Sequence, residues 1–475
     1  MLKNLFKPTP VRALVRTQST SSLDKTIRCA IIGSGPAGFY TASRLLSHYP
    51  NCSIDIYEAL PVPYGLARYG VAPDHPEVKN VTHKFDEVAS SKRVRFFGNV
   101  HVGKDVSLKS LASCYDSIVF SYGASSNRSL GVPGEDLPGV VTARSFVGWY
   151  NGLPETAELG VDLRKVKQAV IVGQGNVALD IARILLSSVD SLRKTDISAD
   201  ALQCLSESKI DSVSIVGRRG PLEASYTIKE VRELIKLPEV HFINSQRQLY
   251  VDALSQPLAR PQKRLMELLA KSQPTLENDR QAQWDFRYRL SPTRFCGSSG
   301  LERVEFQVND LKTSGDRVVA VGTDQKYIEE AQVAFTSIGY KAEPLLGMSD
   351  IGIIFDTTRN IIPNEAGRVQ TLDGTLAGLY CAGWAKNGPV GVIASTMRDA
   401  YETADNILLD WRAGLTRSVE GNSSAFVKRL SQSCAVIDWN GWKRIEQFEF
   451  ECGQRLDRPS VKVTDVKEMI RIAAK

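Results

Sequence analysis

A chain of 475 residues is long enough for two or three domains, and its 43% apolar and 24% charged residues give it the composition of an ordinary globular protein. No stretch approaches the roughly 18 consecutive apolar residues of a membrane-spanning helix, which excludes such a span. The formal net charge is +6, but four of the cations lie in the first 22 residues, and the +2 left without them is too small for a nucleic-acid-binding protein.

Those four cations, Lys3, Lys7, Arg12 and Arg16, are interleaved with Leu2, Leu5, Phe6, Val11, Leu14 and Val15, and no acid precedes Asp24. Residues 1–24 are therefore expected to be a mitochondrial transit peptide, although Pro8 and Pro10 interrupt any continuous helix. A plain basic tail is the competing reading. The eight cysteines, at 29, 52, 114, 204, 296, 381, 434 and 452, form no C-x-x-C pair. That excludes the usual redox disulfide and zinc spacings and predicts reduced thiols.

From residue 27 the chain reads as a strand (Ile27–Ile32), a glycine turn, a helix, a second strand (Ser53–Tyr57) and an acid. Gly33, Gly35 and Gly38 fit G-x-G-x-x-G. The first allows the tight turn, the second lets backbone approach a pyrophosphate, and the third lets helix pack on strand. The helix N-terminus then faces the phosphates. Glu58 is placed to take ribose hydroxyls, so this site suits FAD or NAD rather than a 2′-phosphorylated nucleotide. The proline- and glycine-rich stretch that follows, LPVPYGLARYGVAPDHPEVKN, reads as a long ordered loop of the functional kind. A helix leading into Val94–Phe97 and a strand over 116–120 complete the unit, and SSNRSLGVPGEDLPGV reads as a domain crossing.

A second nucleotide unit begins at the strand Ala169–Val172, with Gly173, Gly175 and Ala178 forming a G-x-G-x-x-A variant. Its next strand, Ser212–Val216, ends in Arg218 and Arg219 instead of an acid. Two guanidiniums there hold a 2′-phosphate, so this site is expected to prefer NADPH; a solvated arginine pair is the plainer alternative. Opposite ribose chemistry at the two sites implies that the first holds FAD and the second brings NADPH to it. In the stretch 258–271, Arg260, Lys263, Arg264 and Lys271 share one helical stripe, which by itself reads as a solvated face. Residues 301–335 read as short strands with turns. From Phe335 the chain is expected to rejoin the first unit, through a strand at 378–384 and a helix beginning near Val392 whose free amides face a flavin. The remainder, 425–475, reads as surface helices.

The fold expected is α/β, with two Rossmann-like dinucleotide-binding domains and the NADPH domain inserted into the FAD domain. The boundaries are 25–127 and 335–475 for FAD and 128–334 for NADPH.

Taken together, GSGPAGFY, DIYE, PVPYGLARYGVAPDHPEVKN, FVGWYNGLP, VGQGNVALDIARILL, VGRRGPLEASYTIKEVREL and CAGWAKNGPVGVIASTM resemble the adrenodoxin reductase family from about residue 27 to 410. The resemblance implies an FAD-containing NADPH:ferredoxin oxidoreductase that passes electrons to a mitochondrial [2Fe–2S] ferredoxin and so feeds cytochrome or iron–sulfur pathways. It implies FAD contacts at Ala37, Glu58, Leu66, Val102, Trp384, Gly391, Val392 and Ile393. NADPH contacts are implied at Gln174, Gly175, Asn176, Val177, Arg218, Arg219, Glu230 and Gly391. His75 and Asp180 resemble the family's pair near the flavin and are the candidate catalytic residues, with the flavin carrying the chemistry and a plain structural histidine as the alternative at His75; the stripe of Arg260, Lys263 and Arg264 resembles the family's ferredoxin-docking surface. Asn387 stands where relatives commonly carry a basic residue, and Gln262 thins the stripe by one charge. The matrix is the implied location, with a peripheral place on the inner membrane left open. An FAD/NADPH monooxygenase and an idle nucleotide sensor carry the same glycine motifs and remain the rival readings.

Overall fold

The computed structural model describes residues 26–272, 282–315, 317–371, 374–417, 419 and 421–475; the expected transit peptide at 1–24 lies outside them. Strand Ile27–Ile32 is central to a seven-stranded sheet, flanked by Cys52–Tyr57 and Ser117–Phe120, with Val94–Phe97 outermost on one side. Its residues are nearly all buried, as expected of a parallel strand covered on both faces. On the other side Gly374–Cys381 joins in parallel, and Arg368–Thr371 and Asn364–Glu365 follow antiparallel. A second sheet of six parallel strands runs in the order Val140–Thr142, Val333–Thr336, Gln168–Val172, Ser212–Val216, Ala282–Arg287, Val240–Phe242.

The inserted arrangement is thus present, with one correction to its boundary. Strand Val333–Thr336 pairs with Gln168–Val172 and Val140–Thr142, so Phe335 belongs to the second sheet and the return comes later. The return is marked by Tyr340–Lys341, which pairs antiparallel with Ser126–Asn127 on the outgoing segment. The two crossings form one narrow ribbon between the units.

Two further expectations are corrected. The stretch 301–335 is not a set of short strands: Arg303–Ser314 and Arg317–Glu330 form a long hairpin, joined by Leu290–Cys296 in a separate antiparallel sheet. The C-terminal helices are not mere surface. Helix Trp439–Arg455 buries Trp442 and Ile445, and helix Val466–Ala473 buries Met469, all within the core built on Phe39, Ile54 and Ile407. No helix among the described residues is long and apolar enough to cross a membrane.

Ion pairs fasten one unit to the other. Lys79 donates to both carboxylate oxygens of Asp196, at 2.6 and 2.7 Å, and Lys462 lies 2.9 Å from one of them. Arg458 donates to the carbonyl of Ile197. The Lys462 side chain is 2% exposed, and burial together with the neighbouring cations pushes its ammonium down to about 7, against the pull of Asp196. A lysine with a depressed folded pKa binds its proton more weakly folded than unfolded, so stability rises with pH above 7 toward the ordinary lysine range. The free energy of unfolding in urea is expected to be higher at pH 9 than at pH 7, and Lys462→Met should flatten that rise. A slope unchanged by the substitution would show that another group produces it.

Candidate functional site

The two glycine turns are built alike. Gly33 has φ +102°, and a methyl group there would lie 2.6 Å from the carbonyl oxygen of Ser121. Gly173 has φ +131° and would meet the carbonyl oxygen of Ser337 at 2.0 Å. In each turn the strand therefore runs so close to a neighbouring chain segment that only glycine fits. Gly35 and Gly175 behave oppositely: a methyl group at either meets no protein atom within 4 Å. Protein packing does not require glycine there, whereas a pyrophosphate lying against bare backbone does. Each of the two caps a helix, Pro36–His48 or Asn176–Leu186, from an extended conformation. Gly38 and Ala37 ride in the first turn of one helix, Asn176 and Val177 in that of the other. The residues therefore fit a dinucleotide at both places.

What surrounds the turns differs. Glu58 follows strand Cys52–Tyr57 and accepts through Oε2 from the Ser34 amide (3.0 Å) and hydroxyl (2.6 Å), beside the first turn. The amide of Val100 donates to the Glu58 carbonyl, which brings Val102 toward the same strand end, and Tyr64 donates its amide to the carbonyl of Ser34. Leu66 opens the short helix Leu66–Tyr69 beyond that loop. At the second turn the strand end carries Arg218, exposed, and Arg219, half-buried and bonded to the Glu223 carbonyl. Gln174 lies over Gly217. Asn176 accepts from the amide of Thr227 at 2.8 Å.

Between the units, Trp384 stacks on Tyr340 with ring centroids 5.6 Å apart. Gly391 and Val392 lead into helix Ile393–Arg412, where the Val392 amide donates to Ser395 Oγ and the Ser395 amide to the Val392 carbonyl, both at 3.0 Å, and the amides of Ile393 and Ala394 complete the opening turn. Asn387 donates to Asp399 at 2.7 Å, and the adjacent Lys386, 4% exposed, pairs with the same carboxylate at 2.7 Å.

His75 and Asp180 do come into one cluster, through partners that local sequence did not single out. Arg183, 3% exposed, donates to Asp74, to Asp180 at 2.7 Å and to Glu230 at 3.2 Å. His75 Nε2 lies 2.8 Å from Glu233 and 3.9 Å from Glu230. Lys229 reaches Glu77 at 3.0 Å. Asp74, His75 and Glu77 come from the first unit, and the remainder from helices of the second. Burial pushes the Asp180 carboxyl up despite Arg183; burial and then the charge of Asp180 push Glu230 up. Burial would also raise Asp74, but the hydrogen bonds from Arg183 outweigh it and hold it below the usual range. Glu230, implied as a nucleotide contact, is engaged here with Arg183. The i,i+3 spacings of Asp180–Arg183 and Glu230–Glu233 were the only sequence signals for this cluster.

The expected docking stripe is helical as read: Arg260–Lys271 begins at Arg260, with Pro261 in its first turn. Arg260, Lys263 and Arg264 are exposed, while Met266, Leu269 and Ala270 face the core. Asn244 ties the helix down through the carbonyls of Leu269 (2.9 Å) and Ser272 (2.8 Å).

Comparison with known proteins agrees with this geometry. The pyridine nucleotide-disulphide oxidoreductase family matches residues 27–236. The "NADPH:adrenodoxin oxidoreductase, mitochondrial" of Salvelinus fontinalis is 45% identical over 96% of this chain and 93% of its own length. The protein of the same name from Bos taurus is 44% identical over 96% and 94%. The solved structure of FprA from Mycobacterium tuberculosis in complex with NADPH is 34% identical, with a TM-score of 0.85 over 95% of this chain and all of that one.

Removing Arg183 leaves Asp74, Asp180 and Glu230 without their shared cation. Arg183→Met is expected to cost about 3–5 kcal/mol at neutral pH, as for other broken buried pairs. The loss should be smaller at pH 5, because carboxyls whose folded pKa has risen destabilise the fold only as pH climbs past their unfolded values. Denaturant titrations at both pH values check this; equal stability of variant and parent at pH 8 would contradict it.

Proposed function

The chain belongs to the NADPH:adrenodoxin oxidoreductase family, and from that premise we propose that it draws electrons from NADPH through bound FAD and delivers them singly to a [2Fe–2S] ferredoxin in the mitochondrial matrix. What FAD supplies when bound is the conversion from hydride acceptor to one-electron donor. The protein's own residues position, bind and shield. Glu58 takes the ribose hydroxyls of FAD beside Gly33, Gly35, Ala37 and Gly38. Arg218 and Arg219 take the 2′-phosphate of NADPH, whose pyrophosphate lies over Gln174, Gly175, Asn176 and Val177. Leu66, Val102, Trp384, Gly391, Val392 and Ile393 line the path between the nucleotides, and the opening amides of helix Ile393–Arg412 favour negative charge there.

The observation that carries this reading is the contrast at two otherwise equivalent turns: a carboxylate at the first strand end and two guanidiniums at the second. The absence of any C-x-x-C from the sequence is consistent with a single-electron acceptor outside the chain. His75 and Asp180 serve as positioning residues, held by Glu233 and Arg183 at the seam between the units. The exposed cations Arg260, Lys263 and Arg264 offer an acidic ferredoxin a docking face. The composition of residues 1–24 supports import, and attachment to the inner membrane would be peripheral. Electrons then feed cytochrome or iron–sulfur pathways.

With NADPH, cytochrome c reduction should depend strongly on added [2Fe–2S] ferredoxin, and Arg264→Glu should lower that rate about fivefold or more at low salt, with a smaller difference at high salt. NADPH oxidation to peroxide regardless of ferredoxin would favour a monooxygenase, and no oxidation a nucleotide sensor. Arg218→Ala should raise the KM for NADPH about tenfold or more, the worth of a hydrogen bond to charge, and hardly move that for NADH. Equal effects on both nucleotides would remove the 2′-phosphate assignment.

A further inference from the structure

The loop that carries the two arginines is held from one side by a segment distant in sequence. Three successive carbonyls are taken in turn. Gly217 O accepts from the Leu290 amide at 3.0 Å, and Arg219 O from the Arg289 amide at 3.1 Å. Between them, Arg218 O accepts from Nδ2 of Asn309 at 3.0 Å. The first and last donors are backbone, available from any residue except proline. The middle donor is a side chain, so sequence can abolish it alone.

Asn309 is built to do this. It is 3% exposed and sits where the register of the long hairpin shifts between Gln307 and Asn309, opposite Gly322. Its amide donates to the carbonyl of Arg289, whose φ is +59°. Its Nδ2 donates a second hydrogen bond to Ser291 Oγ at 2.8 Å. The side chain thus joins the start of the antiparallel sheet, its middle strand and the arginine loop. At 3% exposure, with Nδ2 donating both its hydrogens to protein, the side chain keeps no free donor for a nucleotide.

We propose that Asn309 is a positioning residue for nucleotide specificity: it fixes the backbone of Arg218 so that the guanidiniums of Arg218 and Arg219 stand ready for a 2′-phosphate. This inference rests on the assignment of those arginines to NADPH and adds a residue to it from outside the nucleotide-binding unit's parallel sheet. A loop held before the ligand arrives loses less conformational entropy on binding, so the clamp contributes to affinity for the 2′-phosphorylated nucleotide alone. NADH, which makes no use of the arginines, is indifferent to it.

The test compares Asn309→Ala and Asn309→Asp with the parent holoenzyme, with steady-state constants for NADPH and NADH and competition by 2′,5′-ADP. The alanine variant should raise the KM for NADPH and the Ki for 2′,5′-ADP roughly five- to tenfold, the worth of one buried hydrogen bond, with the KM for NADH and both kcat values within about twofold. The aspartate variant keeps the shape and sets an acceptor against the Arg218 carbonyl; its effect should be larger, and it carries the test if the alanine variant does not fold. In an Arg218→Ala background the Asn309 change should add less than about twofold, since the two residues act through one loop. Equal losses for NADPH and NADH, or no loss, would overturn the clamp. If Arg218→Ala itself fails to discriminate the nucleotides, the 2′-phosphate reading falls; if it discriminates and Asn309→Ala does not, the clamp alone falls.

Discussion

The geometry of the molecule depends on one buried guanidinium. Arg183 gathers Asp74 from the long loop of the first unit and Asp180 and Glu230 from two helices of the second. A lone cation at 3% exposure would be costly, and so would the three carboxylates without it. Each component is tolerable only with the others in place, and so the long loop of the first unit and the two helices of the second are held in a single register. Lys79, Lys462 and Asp196 repeat the device elsewhere on the seam. Charge pairs specify an approach more sharply than apolar patches do, because sliding by a few ångströms leaves buried charges unpaired.

The two units themselves show one local solution used twice. Gly33 against Ser121 and Gly173 against Ser337 are the same steric event, a strand end pressed onto the next chain segment after the sheet. Gly35 and Gly175 then each open a helix. The charge reverses at the end of the second strand, where Glu58 stands in one unit and Arg218–Arg219 in the other. The contrast in charge between the two strand ends therefore rests on very few side chains on a common backbone.

Much of this was legible in the sequence, because the relevant signals are local. Strands Ile27–Ile32 and Ser212–Val216 have the bounds their apolar runs suggest, and helix Arg260–Lys271 starts where Pro261 requires. The missed features are those fixed by distant partners. Asp74 and Arg183 are 109 residues apart, and Asn309 and Arg218 are 91 apart. Helix Trp439–Arg455 is polar enough to look like surface, yet a narrow stripe through Trp442, Ile445 and Glu449 is buried, the last by pairing with Arg68 at 2.5 Å. Phe335 lies in the second sheet against its sequence expectation, because an apolar strand carries no mark of which neighbour it will choose.

The ribbon formed by Ser126–Asn127 and Tyr340–Lys341 has an architectural meaning beyond its four residues. The inserted unit begins and ends at adjacent points, so the chain closes on itself before the insertion starts. Seen from the first unit, everything between the two short strands is a cassette plugged into a single socket. Such a cassette can grow a hairpin, exchange its nucleotide preference or be traded for another module while the sheet that holds it keeps the same strand order.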